Sequence, residues 1–365
     1  VVLEIVKGSV IMAQVARLEK KLEACLTNKE FYEAHQIYRT MFYRLSSTGK
    51  FNEVLALLET GIHRLADVGE FGSAYDLCEI YAETLSKAAT PLSTLSISSV
   101  EKIFLKLPPH LADAPSPQTA SDRRAKFVSL VVKWSQLVAT RPYEKAHGSS
   151  ELHARLARGF LSAQNLEAAC SHFLLSNDAT ELASCLIRCQ LGNEGISAAH
   201  WITIHVLQLL CLRRSAFAHR VFSEFTRLHP ESSRDSAPFS APFLRFSFLL
   251  IHIIHTRNVT FFSSLVARYH SDLEIDSSLK EYLDRIGQIY FGAPPKQSGG
   301  GILSSLLKGL MSSGNEENDK TEAVADLDTE EPENIKAEVA VFQKELGQLL
   351  KDDQPLMEQH DDDLD

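Results

Sequence analysis

The sequence predicts an all-α fold, an α-solenoid of stacked antiparallel helix pairs (a TPR-like superhelix) followed by a disordered acidic C-terminal tail. Three observations lead there. Apolar residues recur at three- and four-residue steps, similar segments return every 20 residues, and sustained period-two alternation is hard to find.

Periodicity comes first. Ile11, Val15, Leu18, Leu22 and Leu26 lay one apolar stripe along one helical face. Phe51, Val54, Leu58, Ile62 and Leu65 repeat the pattern, as do Phe127, Leu130, Val131, Trp134, Leu137 and Val138. The longer period lies in KEFYEA, GKFNEV and GEFGSA, which set Phe31, Phe51 and Phe71 20 residues apart, with a weaker echo, QNLEAA, at Gln164–Ala169. Each copy follows a short polar turn and opens a new helix. Two such helices form a unit of about 40 residues, the size of a helix-pair repeat. One pair cannot bury both of its faces, so pairs stack.

Connections interrupt this pattern at Leu107–Gln118, which carries four prolines, at Arg141–Ser150 and at His229–Pro242. After Gly292–Gly301 the composition changes; Ile302–Met311 has room for one short helix. The expected organisation is therefore 1–140 and 141–311 as the two halves of the solenoid, then 312–365 as tail. Within the tail, Ile335, Val339, Phe342, Leu346, Leu349 and Leu350 fall at helical spacing, an amphipathic helix over 335–350. It either folds back onto the body or serves as a helix-in-groove ligand.

Charge sharpens the division. Residues 311–365 hold 18 acidic residues against 4 lysines, a net −14, so residues 1–310 carry +4 of the overall −10. Acidity with few aromatics predicts disorder in the tail. The mildly basic body lacks the dense Lys/Arg surface that phosphate backbones require, which argues against nucleic acid as the main ligand.

The six cysteines, Cys25, Cys78, Cys170, Cys185, Cys189 and Cys211, are scattered through helical patterns and predict reduced, mostly buried thiols. The opening VVLEIVKGSVIMA lacks a signal-peptide shape, because Glu4 and Lys7 interrupt its short apolar run. No stretch reaches the roughly 18 apolar residues of a membrane span. The nearest, Phe243–Ile254, contains Arg245 and His252 and reads as a core helix. The expected location is the cytosol, with no direct membrane insertion.

A search for chemistry returns no catalytic site, cofactor or metal. GGGILSSLLKG lacks the Lys-Ser/Thr of a phosphate loop, and neither a dinucleotide fingerprint nor a nucleophile elbow occurs. Cys185 and Cys189, one helical turn apart, lack complementary ligands nearby in sequence and read as core thiols. His252 and His255 lie in an apolar helix, where a packed histidine is the expectation. Asp352–Asp353 and Asp361–Asp363 sit in the tail, where nothing fixes geometry or excludes water as general acid–base work requires. The chain is expected to bind other proteins; the alternative within that class is a helical-repeat subunit of another large cytosolic assembly.

Two segments go further. KEFYEAHQIYRTMFYRL at Lys29–Leu45 and EYLDRIGQIYFGAPPKQ at Glu281–Gln297 resemble the adaptor family of the Golgi-to-ER traffic (GET/TRC) pathway, its fourth-named component. FVSLVVKWS at Phe127–Ser135, SHFLLS at Ser171–Ser176 and VLQLLCL at Val206–Leu212 agree, and the likeness spans about residues 10–311.

The resemblance implies a cytosolic, non-enzymatic scaffold. Its N-terminal half faces the ATPase that carries tail-anchored membrane proteins to the endoplasmic reticulum. Its C-terminal half faces a ubiquitin-like protein and, in animals, a BAG-domain chaperone factor. On the ATPase side it implies roles for Tyr32, His35, Arg39, Arg44 and Asp76. Arg44 matches a family arginine that pairs with acidic groups of the partner, Asp76 in AYDL matches an aspartate linked to ATPase regulation, and a second family arginine is replaced here by Ser47. Fungal members carry a β-hairpin before the helix matching Pro242–Thr256. The Pro/Ser-rich His229–Pro242 segment departs from it and favours the animal-type arrangement. Exposed members of the Phe243, Phe246 and Phe248 cluster are the candidate anchors on that side.

Overall fold

The structure, a computed structural model, describes residues 2–109, 123–193, 195–237 and 239–293, and side chains from residue 13 onward. Among the described residues there are sixteen α-helices and one 3-10 turn, and no strand. The segments Ile302–Met311 and 335–350 lie outside them.

The 20-residue period has a simple physical origin. Helices α2 (Phe31–Ser47), α3 (Phe51–Asp67) and α4 (Phe71–Lys87) are each 17 residues long, and a three-residue turn completes the repeat. Each turn closes in the same way. The N–H of Glu30, Lys50 and Glu70 returns to the carbonyl five residues back, at Cys25, Leu45 and Leu65. The residue before it takes a positive φ, at Lys29, Gly49 and Gly69. This is the left-handed helix-terminating turn, in which glycine is the residue without a steric cost. Phe31, Phe51 and Phe71 thus restart three helices in register.

The first of two compact units comprises residues 1–178. Besides α2–α4 it contains α1 (Val2–Thr27), α5 (Thr94–Lys106), α6 (Ala125–Val138), α7 (Pro142–His147), α8 (Ser150–Ser162) and α9 (Leu166–Phe173). Successive helices from α1 to α4 pack as antiparallel neighbours, α4 goes on to α6, and α8 pairs with α9 and with α5. The α3 stripe is buried at Val54, Leu58, Ile62 and Leu65. In α6, Phe127, Val131 and Trp134 are buried, but Leu137 points to solvent, so the apolar face there is narrower than expected. Gly61 lets α2 and α3 approach closely: a Cβ there would lie 2.9 Å from the Tyr38 ring.

The second unit begins at Ala179. It holds α10 (Ala179–Leu191), α11 (Ala198–Cys211), α12 (Ser215–Leu228), the 3-10 turn Ser232–Arg234, α13 (Pro242–Thr256), α14 (Val259–Arg268), α15 (His270–Leu273) and α16 (Ser277–Phe291). Helix α11 is its hub, packing against α12, α13 and α16. Pro242 occupies the first turn of α13, where its missing N–H costs nothing.

The two compact units divide at 178/179. After the proline break before α7 the chain turns straight back: α7 packs on α6, and the Ser149 N–H donates to Ser135 Oγ at 3.1 Å. No helix of the described residues is long and apolar enough to cross a membrane.

Candidate partner-binding face

Helix α2 separates its residues cleanly. Ala34, His35, Ile37, Tyr38, Met41 and Leu45 face inward, while Tyr32, Gln36, Thr40 and Tyr43 face solvent. Arg39 lies at the border between the two rows, half-buried, as does Asp76 on α4.

Three of the sequence-nominated residues meet there. His35 Nε2 lies 2.8 Å from Asp76 Oδ2, and Arg39 Nη1 donates to Asp76 Oδ1 at 3.2 Å and to Oδ2 at 3.3 Å. Gln36 Nε2 approaches the other imidazole nitrogen of His35 at 3.4 Å. The nearby Tyr43 hydroxyl raises the pKa of the Arg39 guanidinium above its ordinary value, and the Asp76 charge adds to the effect. Tyr32 and Tyr43, 70% and 60% exposed, flank the cluster along α2. Next to it, Lys126 on α6 pairs with Glu79 on α4.

Arg44 lies outside this cluster. It is half-buried in the last turn of α2, where cations are favoured by the helix dipole, and its carbonyl accepts a 2.7 Å hydrogen bond from Ser47 Oγ. The local-bond habit of serine is thus what occupies the position of the missing second arginine.

The α13 phenylalanines are distributed differently. Phe246 is withdrawn from the candidate anchors: it is fully buried, edge-on to Tyr269 with ring centres 5.5 Å apart. Phe243 is half-buried and stacks on His200 at 4.9 Å, and Phe248 is half-buried between Phe239 and His252. His252 is buried and donates from Nδ1 to the Phe248 carbonyl at 2.7 Å, a packed histidine as its apolar surroundings suggested. Cys185 is buried and Cys189 half-buried.

A cleft of about 550 Å³ opens between α1 and α3 over a floor of Tyr38, Met41 and Leu45. Its rim carries Glu19, Glu23, Glu53 and Arg64, and Arg64 is paired with Glu23. Its walls are aliphatic, and none of its lining residues forms a nucleophile–base pair. The α2/α4 cluster lies elsewhere, on an open helical surface.

The family model described as Golgi to ER traffic protein 4 matches residues 48–311. The chain belongs to that family. The Golgi to ER traffic protein 4 homolog of Oryzias latipes is 35% identical over 315 residues, covering 86% of this chain and 93% of its own length. The Homo sapiens homolog is 35% identical over 306 residues, covering 83% and 89%. A crystal structure of Get4 from C. therm. superposes with a TM-score of 0.66 over 84% of this chain and all of its own, at 21% identity, a likeness of fold. Within the Golgi to ER traffic protein 4 family match, Asp76 is included, whereas Tyr32, His35, Arg39 and Arg44 precede residue 48.

Two residues of the face escaped the sequence reading: Gln36 and Tyr43. Gln36 lies three residues before Arg39 and Tyr43 four residues after it, on the same helical row, and that spacing was the available signal.

Proposed function

We propose that the chain is a non-catalytic cytosolic scaffold that bridges a tail-anchored-protein targeting ATPase to an upstream module of a ubiquitin-like protein and a BAG-domain chaperone factor. In this role it serves post-translational insertion into the ER membrane. The observation that carries the ATPase side is the α2/α4 face, where exposed Tyr32 and Tyr43 surround the hydrogen-bonded side chains of His35, Arg39 and Asp76. Tyrosine and arginine on an open surface are the composition of a protein–protein hot spot, while a cofactor or small substrate asks for a concave site.

Arg44 supplies the docking cation. Unlike Arg39 it makes no ion pair with Asp76, so its charge is available to a carboxylate on the ATPase, and guanidinium geometry suits a bidentate contact. On the other side, the half-buried rings of Phe243 and Phe248 are the anchors for the ubiquitin-like or BAG-domain partner.

Titrating the purified chain with the nucleotide-bound ATPase tests this reading. Arg44→Ala is expected to weaken binding by about tenfold and to leave a shallower salt dependence, because one screened attraction is gone. Unchanged affinity and salt slope would move the contact off this face.

A further inference from the structure

We infer that His35 and Arg39 are positioning residues: they hold the Asp76 carboxylate in one orientation and make no contact with the docking partner themselves. The inference rests on the docking reading above for its consequence, and on the geometry of the free chain for its substance.

Asp76 reaches out from α4 with nothing on its own helix to orient it; both of its described partners come from α2, 37 and 41 residues earlier. Both carboxylate oxygens are engaged. Oδ2 accepts from His35 and Arg39, and Oδ1 accepts from Arg39. A carboxylate offers about four acceptor positions, so roughly one is left, on Oδ1, for an external donor.

The imidazole cannot serve a partner directly, because only 8% of His35 is exposed. Its direction is nonetheless fixed. An ionised carboxylate only accepts, so Nε2 carries the proton toward Asp76. In the neutral imidazole Nδ1 is then the acceptor, facing the Gln36 amide at 3.4 Å. The result is a one-way chain of donors, Gln36 to His35 to Asp76.

Arg39 is occupied in a comparable way. Its guanidinium donates from Nη1 to both oxygens of Asp76. A partner carboxylate seeking Arg39 would have to compete with a pair that is already formed. A partner donor seeking Asp76 meets a carboxylate whose rotamer entropy has already been lost, which is how preorganisation raises affinity.

Two measurements decide the matter. In the free full-length chain, imidazole 15N shifts should show His35 as the Nε2–H tautomer, with Asp76→Ala shifting it toward a mixture. A wild-type Nδ1–H tautomer would overturn the inference. In titrations with the ATPase, Arg39→Ala and Asp76→Ala should each weaken binding by a similar factor, about five- to tenfold, and the double variant no more than either. Arg39→Lys should recover part of the loss, and Arg44→Ala should add in full. Additive losses for Arg39 and Asp76 would show that Arg39 touches the partner, and would overturn the inference. Should the wild-type chain fail to bind the ATPase, the docking reading falls, and the 15N shifts still decide whether the cluster is a positioning device.

Discussion

Helices α2 and α13 are of similar length and supply all but one of the sequence-nominated site residues, yet they use their side chains in opposite ways. Of 17 residues, α2 buries six along one stripe and turns a polar row outward. Of 15 residues, α13 buries nine, including Ser247 and His252. A helix apolar on nearly all sides has to be enclosed by neighbours, and α13 is enclosed by α11, α12 and α14. Tyr32 is thus a surface group on α2, and Phe246 a core group on α13. What decides is the width of the apolar face, not the residue type.

The sharpest way to break that contrast is to remove one ring. Phe246→Ala should destabilise the protein by about 3–5 kcal/mol, since a fully buried side chain leaves both lost burial and a cavity. Chemical denaturation with one probe in each unit measures it, and the second unit should respond. A loss below about 1 kcal/mol would mean that the site collapses easily and that α13 is less enclosed than its burial indicates.

Acid should act next, again through the surroundings of α13. His205 lies on α11, which packs against α13; it is buried and donates from Nδ1 to the Trp201 carbonyl at 2.8 Å. Burial pushes its pKa below the ordinary value. The unfolded chain therefore binds more protons than the native chain just below pH 6.5, the usual histidine value, and stability falls as pH drops through that region. The steepest contribution of one such group is about 1.4 kcal/mol per pH unit. His172 in the first unit, pushed down to about 3 by burial and by neighbouring His153, adds the same sign over a window from there to its unfolded value. His205→Gln should flatten the stability–pH curve in part, measured between pH 4 and pH 7, roughly the span below the usual histidine pKa. An unchanged slope would show that His205 is solvated in the native state.

Much of this was legible before any coordinates. The repeat of Phe31, Phe51 and Phe71 marked three helix starts because one turn chemistry recurs, and Gly49 and Gly69 advertise it. The α2 candidates were legible because a polar row on an amphipathic helix has one place to go. The pairing of Arg39 with Asp76 was not, since it joins residues 37 apart and depends on how α2 and α4 lie together. Nor was the fate of Phe246, because a nearly continuous apolar run carries no phase from which to read its solvent side. The local role of Pro142 was ambiguous for a related reason: it is equally consistent with a linker and with a first helical turn, and α7 takes the second option.

The smallest stability effect falls on the α2 face, and there stability and binding should separate. Tyr32 is 70% exposed at the second position of α2. Replacing it with serine removes little buried area and suits the first turn of a helix, so Tyr32→Ser should change stability by less than about 0.5 kcal/mol. If the face docks a partner, the same variant should still weaken binding to the ATPase by about tenfold, because an exposed tyrosine gains its contacts only in the complex. Thermal unfolding and titration on the same sample give both values. A large stability loss would mean that Tyr32 packs like an α13 ring, and the distinction between the two helices would then have to be drawn elsewhere.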